Sequence, residues 1–307
     1  MEILGKIIKE IRENRNITLK EAAGTSISTT NLSRFEKGLS MIRADTFFKI
    51  SHNMGIDSHM LFTHLQEHFL ENDNYIQWEN QLTHCVTTHN FSKALEISRK
   101  PPIHSSYLIT VIRSHVCLLV SEHLGIELLL KNEISMVKET LKRLINSDFW
   151  TINEFSLYEA SLRNPNFNIF SKEFIDFKSH SVIKLLNKKS TYQDASLVDL
   201  LMLTLISTLD FYQQKELYSN AELLISNIKH LYFLASIPYT ETRLLNVYMY
   251  ETYILLKQNK PKGKELASLI LNYLDAQFAL FEHPMCPELR NNFIKNVSHL
   301  RGRTESK

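Results

Sequence analysis

Apolar positions recur at helical spacing from the first residues: Ile3, Leu4, Ile7, Ile8 and Ile11 share one face, ahead of the polar run Glu13-Asn14-Arg15-Asn16. Thr18 then stands as an N-cap with Glu21 three residues on, the spacing of a capping box, and Gly24 stops this second helix. Ser28 caps a third helix predicted over Thr29 to Lys37 and closed by Gly38. A fourth runs from about Ala44 to Met54 before Gly55, and Asp57 caps a fifth carrying Met60, Leu61 and Leu65. From about residue 72 the helical segments lengthen. One example is Tyr239 to Lys257, with Leu244, Leu245, Tyr248 and Ile254. Stops fall at Pro101-Pro102, Gly125, Asn164-Pro165-Asn166, Pro238, Pro261-Lys262-Gly263 and Pro284.

Helices of about 15 to 20 residues joined by short turns pack as antiparallel neighbours. The expected fold is therefore all-α. A five-helix helix-turn-helix domain occupies residues 1–66, and a tetratricopeptide-like α-solenoid of antiparallel hairpins occupies 67–307. Composition agrees: 44% of residues are hydrophobic, and only seven are glycine, too few for the turns of a β-rich protein this long. Charges at Lys6, Lys9, Glu10 and Arg12 leave no apolar stretch for a signal peptide. The most apolar runs, Ile103 to Leu130 and Leu197 to Leu209, are interrupted by Arg113, His115 and Glu122 and by Asp199, and so read as buried helices. Cys85, Cys117 and Cys286 are far apart and odd in number, which suits reduced core thiols in a cytoplasmic protein.

The formal net charge is +2, so a nucleic-acid footprint has to be local. The third helix supplies one. Leu32 and Phe35 turn inward against Ala22 and Ala23 of the second helix. Thr29, Thr30, Ser33, Arg34 and Lys37 are left facing outward. Arg34 can fork onto guanine, Asn31 can read adenine, and the threonines suit thymine methyls or phosphates. Lys37 and Arg43 follow as phosphate contacts, as does Thr18 at the start of the second helix.

These residues resemble the phage-repressor-like class of helix-turn-helix domains, through Leu4-Gly5-Lys6, Ile11-Arg12, Leu32-Ser33-Arg34-Phe35-Glu36-Lys37-Gly38 and Gly55-Ile56. The resemblance implies that Arg12 pairs with Glu36. Thr25 to Ile27 carries no glycine where that class has one, which leaves the register of the turn open by one residue. The whole chain is also similar to the Rgg/MutR regulators of Gram-positive bacteria, in its length, its Ala22-Ala23-Gly24 and the aromatic-acidic stretch Trp150, Glu154, Tyr158 and Glu159. That resemblance implies a homodimer whose repeats hold a short peptide pheromone in a groove.

Other chemistry finds little support. His64 and His68 share a helical face but lack a third ligand, so no metal site is expected, and no cofactor. There is no phosphate loop and no nucleophile elbow, so an enzyme is not expected. Candidate groove residues are Asn153, Asp210, Tyr212, Asn246 and Tyr250; Asn246 and Tyr250, four apart, are placed to grip a peptide backbone. The expected partners are promoter DNA, a second copy of the chain and a short peptide, with no membrane. Two alternatives stand beside this reading: a ligand-independent activator, and a helical interaction scaffold with a helix-turn-helix-like docking unit.

Overall fold

The computed structural model describes residues 2–56, 74–102, 106–147, 149–188, 195–235, 241–281 and 286–301, and these residues form fifteen α-helices and one short 3-10 turn without a strand. The fold is all-α, and its chain divides into two compact units, residues 1–84 and 85–307. The boundary expected at 66/67, the fifth short helix and the His64–His68 pair all lie outside the described residues.

Unit 1 holds α1 (Glu2–Asn14), α2 (Leu19–Ala23), α3 (Thr29–Glu36), α4 (Ala44–Asn53) and most of α5 (Asn74–Thr87). Ile7, Ile8 and Ile11 of α1 pack with Ala22, Ala23, Leu32, Phe35, Ile50 and Met54 in one core. Small residues at Ala22 and Ala23 let α3 and α4 approach α2, as the sequence required. Gly5 does the same between α1 and α3, where a Cβ would stand 2.1 Å from the Phe35 carbonyl oxygen. Thr18 and Glu21 form the expected capping box. Gly24 leaves α2 at φ 51° and ψ −129°, a conformation open to glycine and hostile to a Cβ. Gly24 thus ends α2 where expected and opens the turn into α3.

Unit 2 continues with α6 (Phe91–Ser98), α7 (Tyr107–His123), α8 (Lys131–Ile145), α9 (Ile152–Arg163), α10 (Lys172–Leu186) and α11 (Ala195–Gln214). It closes with α12 (Tyr218–Ala235), α13 (Glu241–Lys257), α14 (Pro261–Phe281) and α15 (Cys286–Arg301). Helices α7, α9, α11, α13 and α15 pack in series as one layer. The even-numbered helices α8, α10, α12 and α14 pack onto them as a second layer, giving the solenoid. α11 is long and apolar enough to cross a membrane by composition, but 61% of that window is buried, against α9, α10, α12 and α13. It is the core helix of the array. Cys85 and Cys117 are buried free thiols.

The aromatic-acidic stretch forms the hub of the array. The Trp150 ring meets Phe155 and Tyr158, and the Lys178 ammonium sits 3.9 Å above it. Glu154 closes a capping box with Thr151 and accepts the Tyr107 hydroxyl at 2.8 Å.

Candidate nucleic-acid interface and ligand cavity

α3 has two opposed faces. Leu32 is 0% exposed, Glu36 4% and Phe35 7%, while Thr29, Thr30, Asn31, Arg34 and Lys37 stand in solvent and Ser33 is half-buried. Thr30, Ser33, Arg34 and Lys37 are spaced i, i+3, i+4 and i+7, so they make one polar stripe along the helix. Ser28 caps α3, its hydroxyl oxygen accepting the Asn31 N–H at 3.2 Å. α3 is held from behind by a buried ion pair. Arg12 Nε donates to Glu36 Oε1 at 2.7 Å and Arg12 Nη2 to Glu36 Oε2 at 2.8 Å. Arg12 Nη1 also donates to the Ile17 carbonyl at 3.1 Å. Both chains of the pair are buried, so the guanidinium fixes the angle of α3 against α1 and stays out of solvent.

The remaining contact candidates sit around this stripe. Arg43 is exposed before α4 and pairs with Asp45 at 3.1 Å. Thr18 is exposed, but its hydroxyl already donates to Glu21 Oε2 at 2.7 Å, and the Glu21 carboxylate occupies the N-terminus of α2. A phosphate there would have to share the position with an acid.

In unit 2 the odd-numbered layer carries a cavity of about 290 Å³ between α11, α13 and α15. Three of the five groove candidates, Asp210, Asn246 and Tyr250, line it together. Asn153 and Tyr212 do not. Asn153 lies half-buried in the first turn of α9, and Tyr212 is buried with its hydroxyl donating to Asp176 of α10. Tyr212 therefore ties the two layers together. Gln213, Asn292 and Asn296 also line the cavity and were not anticipated. The α15 pair was readable in principle: Leu289, Asn292, Phe293, Asn296 and Val297 follow the i, i+3, i+4, i+7, i+8 pattern of one face.

Polar side chains continue from the cavity along the same layer. The Asp210 carboxylate accepts the Tyr250 hydroxyl at 3.3 Å and the Gln214 amide at 2.6 Å. Burial pushes its pKa above the usual aspartate range, and its neighbourhood pushes the Tyr250 phenol up as well, chiefly through burial. Toward α7, Arg163 donates to Glu159 at 2.7 Å and pairs with Glu122, while Ser207 of α11 donates to Glu159 at 2.6 Å. Arg243 of α13 forks onto Asp199 of α11 at 2.8 and 2.9 Å. Among the described residues no group of histidine, cysteine, aspartate and glutamate is arranged to hold a metal.

An α3 with one buried and one open polar face, followed in sequence by a two-layer helical array, defines an all-helical protein that joins a helix-turn-helix unit to a solenoid. Residues 5–67 match the helix-turn-helix domain family, and the chain carries that domain. Over its length the chain has the fold of known pheromone receptors. It is similar to the Streptococcus dysgalactiae SHP pheromone receptor Rgg2, with a TM-score of 0.68 at 15% identity over 98% of this chain and 99% of that one. For PrgX in complex with cCF10 the TM-score is 0.65 at 13% identity, over 98% and 94% of the two chains. For a bacterial peptide pheromone/receptor complex it is 0.65 at 13% identity, over 97% and 99%. The resemblance read from the sequence is met in the fold.

Proposed function

We propose that this chain is a sequence-specific DNA-binding transcriptional regulator of the Rgg/MutR type, cytoplasmic, homodimeric and controlled by a short peptide. The observation that carries the reading is α3. Its apolar face and Glu36 are locked into the core, while Thr30, Arg34 and Lys37 form an open stripe of the kind that enters a major groove. Arg34 forks onto guanine, Asn31 and the threonines read neighbouring positions, and Lys37, Arg43 and Thr18 hold phosphates. Two copies joined through their helical arrays set two α3 helices about one duplex turn apart, roughly 34 to 36 Å, on a pseudo-palindromic site.

The peptide binds the odd-layer cavity, where Asn246 and Tyr250 offer backbone hydrogen bonds beside apolar walls. The similar proteins Rgg2 and PrgX, described as a pheromone receptor and as a cCF10 complex, support that choice of ligand. Control follows when the peptide has different affinities for two arrangements of the dimer, since equal affinity shifts no population.

The test is selection of a binding site from random duplexes by the full chain, followed by affinity measurement on that site. Thr30→Ala with Arg34→Ala is expected to weaken binding by about 2 to 4 kcal/mol and to leave the association state by ultracentrifugation unchanged. Unchanged affinity in that variant removes α3 as the reading element and favours the scaffold alternative.

A further inference from the structure

We infer that the odd-layer cavity is built for a ligand carrying an organic ammonium group, either a peptide's free α-amine or a lysine side chain, seated on the Asp210 carboxylate. The inference deepens, and rests on, the reading of that cavity as the ligand site. Among the side chains that line the cavity, Asp210 alone is charged. Both of its hydrogen bonds come from neutral donors, the Gln214 amide and the Tyr250 hydroxyl. No ammonium or guanidinium of the described residues forms an ion pair with it. A carboxylate drawn out of water without a cation is costly, and burial accordingly pushes the Asp210 pKa up.

The surrounding charges do not supply the missing partner. Arg163 lies within electrostatic reach, but its guanidinium is bound by Glu159 and paired with Glu122. Asp210, Glu159 and Glu122 thus share one guanidinium. Arg243 is matched by Asp199. His115 of α7 adds nothing positive near neutral pH, because burial pushes its pKa down to about 4. The rest of the cavity is apolar at Ile206, Phe293 and Val297 and neutral at the asparagines. An apolar ligand with one cationic end matches this surface, and an anionic end opposes it.

The experiment titrates the full chain by NMR with three small probes: leucyl-leucinamide with a free α-amine, its N-acetyl form, and N-acetyl-leucyl-lysinamide. Both cationic probes are expected to bind at least roughly tenfold more tightly than the neutral one, and Asp210→Asn is expected to abolish the difference. The tighter of the two cationic probes identifies α-amine or side chain as the source. Equal binding of the neutral probe, or a preference that survives Asp210→Asn, overturns the inference. Asn246→Leu separates the two levels. Neutral-probe binding that depends on Asn246 but shows no charge preference overturns the ammonium assignment alone. No binding by any probe, or binding indifferent to both substitutions, removes the cavity as the ligand site and the inference with it. The DNA-binding reading is tested separately and survives either result.

Discussion

In unit 1 the side chains offered to a partner, Thr30, Arg34 and Lys37, stand in solvent, and the buried pair Arg12–Glu36 serves only to hold α3 in place. In unit 2 the arrangement is reversed. The groups that line the cavity, Asp210, Asn246 and Tyr250, are half-buried, and they continue into the charged series Arg163, Glu159 and Glu122 inside the same layer. The contrast is the one that the proposed partners require. A duplex is a large polyanion that meets an open surface, and its affinity comes from cations that remain hydrated until contact. A short peptide is bound by enclosure, so its site must be assembled from groups already drawn out of water.

The largest test of this division is Glu36→Ala. It leaves the Arg12 guanidinium buried without its carboxylate, an arrangement that costs about 3 to 5 kcal/mol. Urea unfolding followed by hydrogen exchange should show the amides of α1 to α4 losing protection while those of α9 and α11 keep theirs. Replacing both partners, Arg12→Met with Glu36→Leu, should recover most of the loss. A Glu36→Ala protein as stable as the parent would mean that the pair does not hold α3.

Gly5→Ala comes next. The new methyl meets the Phe35 carbonyl at 2.1 Å, and backbone on both sides must shift. Overpacking of this kind costs about 1 to 3 kcal/mol. Because the displaced atom belongs to the last turn of α3, affinity for the selected duplex should fall together with thermal stability. A loss of stability with unaltered DNA affinity would separate the packing of α3 from its reading function.

The same contrast explains how much was legible in the chain. In unit 1 the caps Thr18 and Ser28, the stops Gly24 and Gly38 and the apolar i, i+3 pair Leu32 and Phe35 are local signals, and each marks the element it predicts. Unit 2 was legible as helices and in most of its breaks: α6, α7, α9, α12 and α14 end just ahead of the stops Pro101-Pro102, Gly125, Asn164-Pro165-Asn166, Pro238 and Pro284, while other breaks carry no such mark. The chain turns at His89, Glu216 and Asn259 with φ near 56° and without a glycine or proline at the turning residue. Local backbone bonds close these helix ends, the N–H groups of Asn90, Leu217 and Lys260 returning to the carbonyls of Cys85, Tyr212 and Leu255. Asparagine and histidine tolerate positive φ better than most residues, but they mark it less sharply than glycine does, and Glu216 does not mark it at all. The stop at Pro261 does follow the end of α13 at Lys257, and the proline itself opens α14 at the first helical position, where a missing N–H costs nothing. The groove candidates met a similar limit. α9 and α11 are buried on most sides, so their apolar pattern does not say which side faces a neighbour and which a cavity. Tyr212 and Asp210, two positions apart on α11, could not be told apart that way, yet one ties α10 and the other lines the cavity.

A smaller effect is expected from Thr18→Ala, about 1 kcal/mol through loss of the cap on α2. Thr18→Ser keeps the hydroxyl and should restore that stability. If Thr18 also holds a phosphate, the alanine variant loses duplex affinity beyond its loss of stability, and the serine variant regains both. Recovery of stability without any affinity change in either variant would assign Thr18 to the cap alone.

The smallest effect carries the comparison within unit 2, between a carboxylate in a direct ion pair and one that forms none among the described residues. Glu133 accepts Arg99 Nε at 2.8 Å and Nη2 at 2.9 Å, and the Arg99 guanidinium holds its pKa below the usual glutamate range. Its contribution is present above the unfolded value and is lost as pH falls through the folded one. Asp210 is shifted the other way by burial. The folded chain binds its proton more tightly than the unfolded chain, so the contribution is complete below the unfolded value and is lost as pH rises through the folded one. Glu133→Gln should therefore destabilise at neutral pH and converge on the parent near pH 3. Asp210→Asn should stabilise the ligand-free chain at neutral pH by up to about 1 kcal/mol and converge on the parent over the same acid range. Opposite signs in the two unfolding-against-pH profiles are expected when burial of Asp210 outweighs the distant pull of the shared Arg163 guanidinium. A destabilised Asp210→Asn chain would show that its hydrogen bonds to Tyr250 and Gln214 outweigh its burial, and that this carboxylate serves the fold before any ligand.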